Sequence, residues 1–371
     1  MTDGDETRRA LCTFETEGLP GTPRSGQGEA LVDDDGVGVG GVRIEFLDAD
    51  TFVDERRVLT LGIHPFGQLR LSMLARRHET FSRALAAARD AARVRGLLAH
   101  GLGVPERFDG AVLEPGPCRE ARLLVWPTHV TVVPVGSDPF QIPLGSVDEV
   151  RFVEGTWEVV LASGTAAVHF GRLARRTDAF ARSVREARSS MLDRCARASG
   201  TALLADGRSV PARDLGTDFE RLLESFSAPE RIDGAREIVK RAGRDSCALG
   251  LAELLDPDDE GLAAKDELPE NTAAFLLAQA GALVVLELLS GPSAATYVFR
   301  GPTATVGRDL ADIHFRRRAL ALTETESRGP AGRPYRLALR SLEPLKRLRA
   351  ATAARVIHAE GWSEALSKAL S

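Results

Sequence analysis

Apolar and polar residues alternate along much of the first half of the chain, and twice the alternation gives way to a helix-spaced segment. Between residues 122 and 170 the runs RLLVW, HVTVVPV, FQIPL, EVRFV, TWEVVLA and AAVHF are short, β-branched and partly alternating, which predicts strands. Turn-formers separate them: Gly136-Ser137-Asp138-Pro139, Glu154-Gly155 and Ser163-Gly164. A segment capped by Thr177 follows, in which Phe180 and Val184 recur four residues apart, the spacing of an amphipathic helix. Phe81 and Leu85 hold the same places in an earlier segment.

That earlier segment is a copy. LARRHETFSRALAAAR from Leu74 matches LARRTDAFARSVREAR from Leu173, pairing Arg76 with Arg175, Arg77 with Arg176, Phe81 with Phe180 and Arg89 with Arg188. Upstream, IEFLDADTF from Ile44 aligns with IPLGSVDEV from Ile142, bringing Asp50 onto Asp148, and VLTL from Val58 parallels EVVL from Glu158. Three segments recurring in one order point to duplication. Strands closed by one helix predict an α+β, mainly β, chain of two small barrels, each closed by its C-terminal helix. The expected divisions are a disordered start over 1–11, a first copy over 12–100 and a second over 108–192.

This element order resembles the pleckstrin-homology-like superfold, as a tandem pair similar to the double modules in the middle domains of FACT-type histone chaperones. The resemblance covers roughly residues 12–192 and rests on the order of elements. It implies peptide- or lipid-binding modules. Phe81 and Phe180 stand where many pleckstrin domains place a tryptophan, and neither copy has the basic first hairpin that lipid binding uses in that superfold.

Beyond Ser190 the texture changes. Residues 200–270 carry nine basic and seventeen acidic side chains and predict a helical acidic segment. DFERLLESF from Asp218 has helical spacing, and Ser227-Ala228-Pro229-Glu230 reads as a capping box for a helix running to Ala242 and stopping at Gly243. Residues 271–371 predict a basic α+β domain and leave open a third, diverged copy. Two buried strands flank Gln279-Ala280-Gly281, ATYVFRG follows, and a helix is expected through LKRLRAATAARVIHA.

The 371 residues carry a net charge of −5, with aromatic residues at 5%, so the whole molecule offers neither a strong field to polyanions nor many stacking platforms for bases. Charge is uneven: residues 292–371 hold fourteen basic against seven acidic side chains. Cys12, Cys118, Cys195 and Cys247 lie far apart, which argues against a disulfide framework or zinc site. With no signal-like start and no uninterrupted apolar span, a cytoplasmic protein is expected.

Candidate chemistry is sparse. Gly36-Val37-Gly38-Val39-Gly40-Gly41 follows three aspartates and precedes VRIEF, so a turn and glycine-containing strand fit better than a phosphate loop. From Asp256 the acids Asp256, Asp258, Glu260 and Glu267, with the Leu262 carbonyl, fall at EF-hand calcium spacing around Gly261; a solvated acidic linker is the competing reading. Otherwise no cofactor is expected. The histidines are scattered and no catalytic motif appears, leaving only a site assembled in space. The doubled arginines Arg76-Arg77 and Arg175-Arg176 suggest either a shared anion or partner site, or structural pairing. Arg316 and Arg318 would share one face of a strand. These readings add up to a non-enzymatic scaffold that binds a protein or peptide. The alternatives are a binder of acidic protein, nucleic acid or anionic lipid through the basic C-terminal domain, and an enzyme of unrecognised site.

Overall fold

A computed structural model describes residues 6–63, 67–99, 104–135, 137, 139–164, 166–200, 204, 208–253, 272–290 and 295–371. It is an α+β structure with three antiparallel sheets. The chain divides into two units. One comprises residues 1–99, 136–139 and 327–341; the other comprises 100–135, 140–326 and 342–371.

The first unit begins with β1 (Arg9–Glu17), β2 (Ser25–Val32), β3 (Gly36–Val39), β4 (Val42–Glu45), β5 (Ala49–Glu55), β6 (Val58–Ile63) and β7 (Gly67–Ser72), then helix α1 (His78–Val94). Strand order is 4-3-2-1-7-6-5. β1 starts before the expected boundary: Arg9, Ala10 and Leu11 pair with β2, and Ala10 is buried, so the order there comes from pairing, not local composition. The glycine run forms β3 and the β3–β4 turn, with Gly40 and Gly41 both at positive φ. Asp33 accepts from the amides of Asp35 and Gly36 and so sets the preceding turn. Residues 327–341 belong to this unit and are tied to it by Arg336 on Asp48 at 2.9 Å and Arg333 on Glu45.

The second unit repeats the plan with β8 (Glu106–Glu114), β9 (Arg119–Val125), β10 (His129–Pro134), β11 (Phe140–Pro143), β12 (Glu149–Val153), β13 (Glu158–Ser163), β14 (Ala166–Gly171) and helix α2 (Thr177–Ser199). Its order, 11-10-9-8-14-13-12, is position for position that of the first sheet. In each, the first strand pairs on both sides: Thr13–Glu15 lie between β2 and β7, as Ala111 and Val112 lie between β9 and β14. Both sheets are open, in contrast to the closed barrels expected. β4 and β5 are the two edges of the first sheet, β11 and β12 those of the second. Each helix packs on the core of its own sheet. Phe81 and Phe180 are fully buried in their respective cores, and Phe180 meets Phe108 and Phe170 edge-on at 5.2 and 5.5 Å. The aligned arginines Arg89 and Arg188 donate to equivalent carbonyls, Ala49 at 3.3 Å and Val147 at 2.7 Å.

The third sheet is a meander: β15 (Ser209–Pro211), β16 (Cys247–Glu253), β17 (Thr272–Ala280), β18 (Leu283–Leu288), β19 (Ala295–Arg300) and β20 (Thr352–Ile357), hydrogen-bonded in sequence order. This order excludes a third copy of the duplicated plan. It also moves the boundary, since β15 and β16 come from the segment expected to be helical. Between them lie α3 (Asp218–Phe226) and α4 (Ile232–Ala242). Phe219, Leu222, Leu223 and Phe226 line one face of α3, and they pack with Ile238, Leu276 and Val298. Ser227 ends α3, its hydroxyl donating to the Leu223 carbonyl, where a cap for the next helix was expected. Gly243 ends α4 at positive φ, as anticipated. On the opposite face of β17, Phe275 meets Phe315 at 4.6 Å beyond α5 (Thr303–Asp312). The helix expected through residues 345–359 stops with α6 (Glu343–Ala351); Thr352–Ile357 instead pairs with β19 and sends Val356 into the core. Helix α7 (Trp362–Leu370) ends the chain. Among the described residues no helix is long and apolar enough to cross a membrane.

Candidate interaction clefts

The doubled arginines separate by role. Arg77 donates to the carbonyls of Glu6 and Arg9 at 2.7 and 3.2 Å and pairs with the Glu6 carboxylate. Its counterpart Arg176 donates to the Arg107 carbonyl at 2.8 Å and lies over the Phe108 ring at 4.3 Å. Both tie the start of the first strand to the single turn before the helix, Ala75–Arg77 or Ala174–Arg176. Arg76 and Arg175 are exposed and take no ion pair or hydrogen bond among the described residues.

Each of these freer arginines lines a cleft at the foot of its helix. In the first unit the lining is Arg57, Ala75, Arg76, His78 and Glu79, enclosing about 550 Å³. In the second it is Thr156, Trp157, Arg172, Leu173, Ala174, Arg175 and Thr177, enclosing about 440 Å³. Ala75, Arg76 and His78 align with Ala174, Arg175 and Thr177, so the two clefts stand at matching places in the repeated strand order. The backbone matches too. Met73 and Ala75 have φ of 61° and 50°, Arg172 and Ala174 have 57° and 52°, and none is glycine. The hairpin tips opposite carry Arg56 and Arg57 at 50° and 63°, and Trp157 at 55°. Bulky residues at positive φ carry strain that concentrates at functional sites.

The linings differ chemically. The first cleft holds the carboxylate of Glu79, paired with Arg83, and His78, whose Nε2 lies 2.9 Å from Asp54. The second is lined by no acid. Trp157 is 62% exposed, its ring edge-on to Phe152 at 5.8 Å, with Arg172 and Arg175 exposed beside it.

Two other groups of chemistry-bearing side chains are largely buried. Glu287 accepts from Thr296 at 2.5 Å; His358 Nε2 is 3.1 Å from both Glu287 Oε1 and Thr296 Oγ1, and Trp362 donates to Thr296 at 2.8 Å. A proton relay needs the histidine to reach acid and hydroxyl through different ring nitrogens. Here one nitrogen meets both, and Thr296 is fully buried, so the group satisfies a buried carboxylate. Arg231 stands nearby, its pKa lowered by burial and partly restored by Glu287. His129 lies in a second interior group, between Trp126 at 5.6 Å and His314 at 4.5 Å, with His314 Nε2 2.8 Å from Gln141. Burial, with His314 and Arg316 nearby, holds His129 well below the usual imidazole range; burial and Arg316 bring His314 down to about 3.

Arg316 is fully buried and precedes a helical turn, Arg317–Ala321, so the strand on which Arg316 and Arg318 would share a face does not form. Its charge acts inside the protein. Asp256, Asp258, Glu260, Leu262 and Glu267, the calcium-loop candidates, lie outside the described residues. Among those described, no group of three or more metal-ligating side chains comes together. Trp157 and Arg172 carried no sequence signal, because a positive φ at a residue other than glycine is invisible in sequence.

No family model matches the chain, and no curated protein does. Among solved structures, the C-terminal domain of an unknown protein from Leishmania infantum matches over 26% of this chain and 93% of its own, with 12% identity and a TM-score of 0.23.

Proposed function

We propose that this protein is a non-enzymatic scaffold that binds a protein partner through duplicated pleckstrin-homology-like modules, with the clefts at the feet of α1 and α2 as its contact surface. Strand order 4-3-2-1-7-6-5 followed by a helix supports the pleckstrin-like reading. One observation carries the functional reading: in both modules the first arginine of the doublet stays uncommitted beside a cleft, while the second is used by the fold.

Photo-crosslinking amino acids placed singly at Leu11, Arg76, Arg175 and Ile357 test this in cells making the intact chain. All four positions are exposed. Discrete polypeptide adducts at position 76 or 175 are expected. Adducts at Ile357 alone would keep the scaffold and discard the clefts, whereas an adduct at Leu11, which borders a concavity shared with Ala75 and Arg76, would support contact at the first module. Adducts with nucleic acid or lipid only, or none at any position, would overturn the proposal.

A further inference from the structure

We infer that the cleft of the second module takes an acidic peptide segment bearing an apolar side chain, and that the first module's cleft does not. The inference rests on the protein-binding reading above and gives that partner its chemistry. Trp157, Arg172 and Arg175 together supply an exposed aromatic face and two positive charges, and neither guanidinium is neutralised by a neighbour among the described residues. Tryptophan and arginine are the side chains that most often dominate protein contacts, because each offers large rigid area with a directional polar edge. Leu173 and Ala174 leave an apolar floor between the charges, which favours an aliphatic or aromatic side chain flanked by carboxylates. A volume of about 440 Å³ admits one or two side chains. A nucleic-acid strand would require a longer track of cations and successive stacking platforms, and this cleft has two arginines and one ring.

The first cleft is a built-in control. Arg57 holds the hairpin-tip place that the exposed Trp157 holds in the second, Met73 stands at the position of Arg172, and Glu79 brings a carboxylate that opposes an acidic ligand. Among the described residues, the first cleft sets one carboxylate against its two arginines and has no tryptophan; the second has two arginines, a tryptophan and no lining acid.

The test uses the intact chain and a fluorescein-labelled nonapeptide of glutamates around a central leucine–phenylalanine pair. Trp126 is buried and Trp362 half-buried, so Trp157 is the tryptophan most open to quenching by a ligand. Saturable anisotropy with a parallel change in tryptophan emission is expected. Affinity should fall at least tenfold in the double variant Arg172→Glu/Arg175→Glu and in Trp157→Ala. It should survive in Trp157→Phe and Arg175→Lys, and stay unchanged in Arg76→Glu. A peptide with lysine in place of glutamate should not bind. Absence of saturable binding, equal binding of the lysine peptide, or indifference to the double reversal would overturn the inference. So would tighter binding of a thymidine 20-mer or of phosphatidylserine vesicles than of the peptide. Should those results coincide with discrete polypeptide adducts at other positions, the scaffold reading stands and this inference alone falls; no adduct anywhere removes both.

Discussion

Arg175 and Arg176 are adjacent and chemically identical, yet their surroundings assign them opposite work. Arg176 donates to a strand carbonyl and covers Phe108, whereas Arg175 faces the cleft. In urea titrations Arg176→Ala should therefore cost about 1 kcal/mol, the range of a partly exposed hydrogen bond with some packing, and Arg175→Ala less than about 0.5 kcal/mol. The same ordering should hold for Arg77→Ala against Arg76→Ala. Equal costs within either doublet would contradict this division. Deeper in the modules, Phe81 and Phe180 are fully buried in equivalent cores. Truncating either to alanine should cost about 3–5 kcal/mol, because a cavity is left among neighbours that relax only partly.

At the scale of an element, the β3–β4 hairpin shows how a tight turn uses two glycines differently. Both have positive φ, but a Cβ on Gly40 would stand 2.3 Å from the Phe14 ring, whereas around Gly41 there is open space. Gly40→Ala should destabilise by about 1–3 kcal/mol through displaced packing and a disfavoured backbone. Gly41→Asn should be tolerated within about 0.5 kcal/mol, asparagine being at home in the left-handed region. Thermal melts of the two variants compare these costs. β20 illustrates the opposite situation, an element decided from outside. Its sequence, TAARVI, continues a helical pattern without interruption, and only the pairing with β19 makes it a strand.

For the molecule as a whole, the interior histidines set an acid limit. His314 has its folded pKa near 3, below the 6.5 of an unperturbed imidazole, and His129 is shifted the same way. Between pH 6.5 and about 3 the unfolded chain therefore binds protons that the folded second unit refuses, so stability is full above pH 6.5 and falls as pH falls. A single such group contributes a slope of about 1.4 kcal/mol per pH unit in that window. Urea midpoints at pH 7, 6, 5 and 4 should decline, less steeply below pH 6, where Asp312, raised to about 6 by burial and Asp309, takes up a proton in the folded state and offsets one histidine; His314→Gln should flatten the decline. An unchanged midpoint between pH 7 and 5 would count against neutral, buried imidazoles.

Sequence alone determined the repeated order of elements, the six strands from RLLVW to AAVHF, the burial of Phe81 and Phe180, and the stop at Gly243. Each is a local signal: a spacing, a period, a residue type with one favoured conformation. β8 lacked such a signal, since ERFDGAVLE alternates weakly and owes its place to pairing with β9 and β14. What only tertiary structure decided depends on groups distant in sequence. The sheets stay open because their edge strands, β4 and β5 or β11 and β12, do not pair with each other. Residues 352–357 are a strand because β19 presents an unpaired edge. Arg316 is interior and Arg175 exterior through packing, though both stand in arginine-rich runs. The clefts themselves arise where a hairpin tip meets the turn before a helix, about sixteen residues apart in sequence. Concavity, exposure and charge balance belong to that meeting, and no residue announces them by itself.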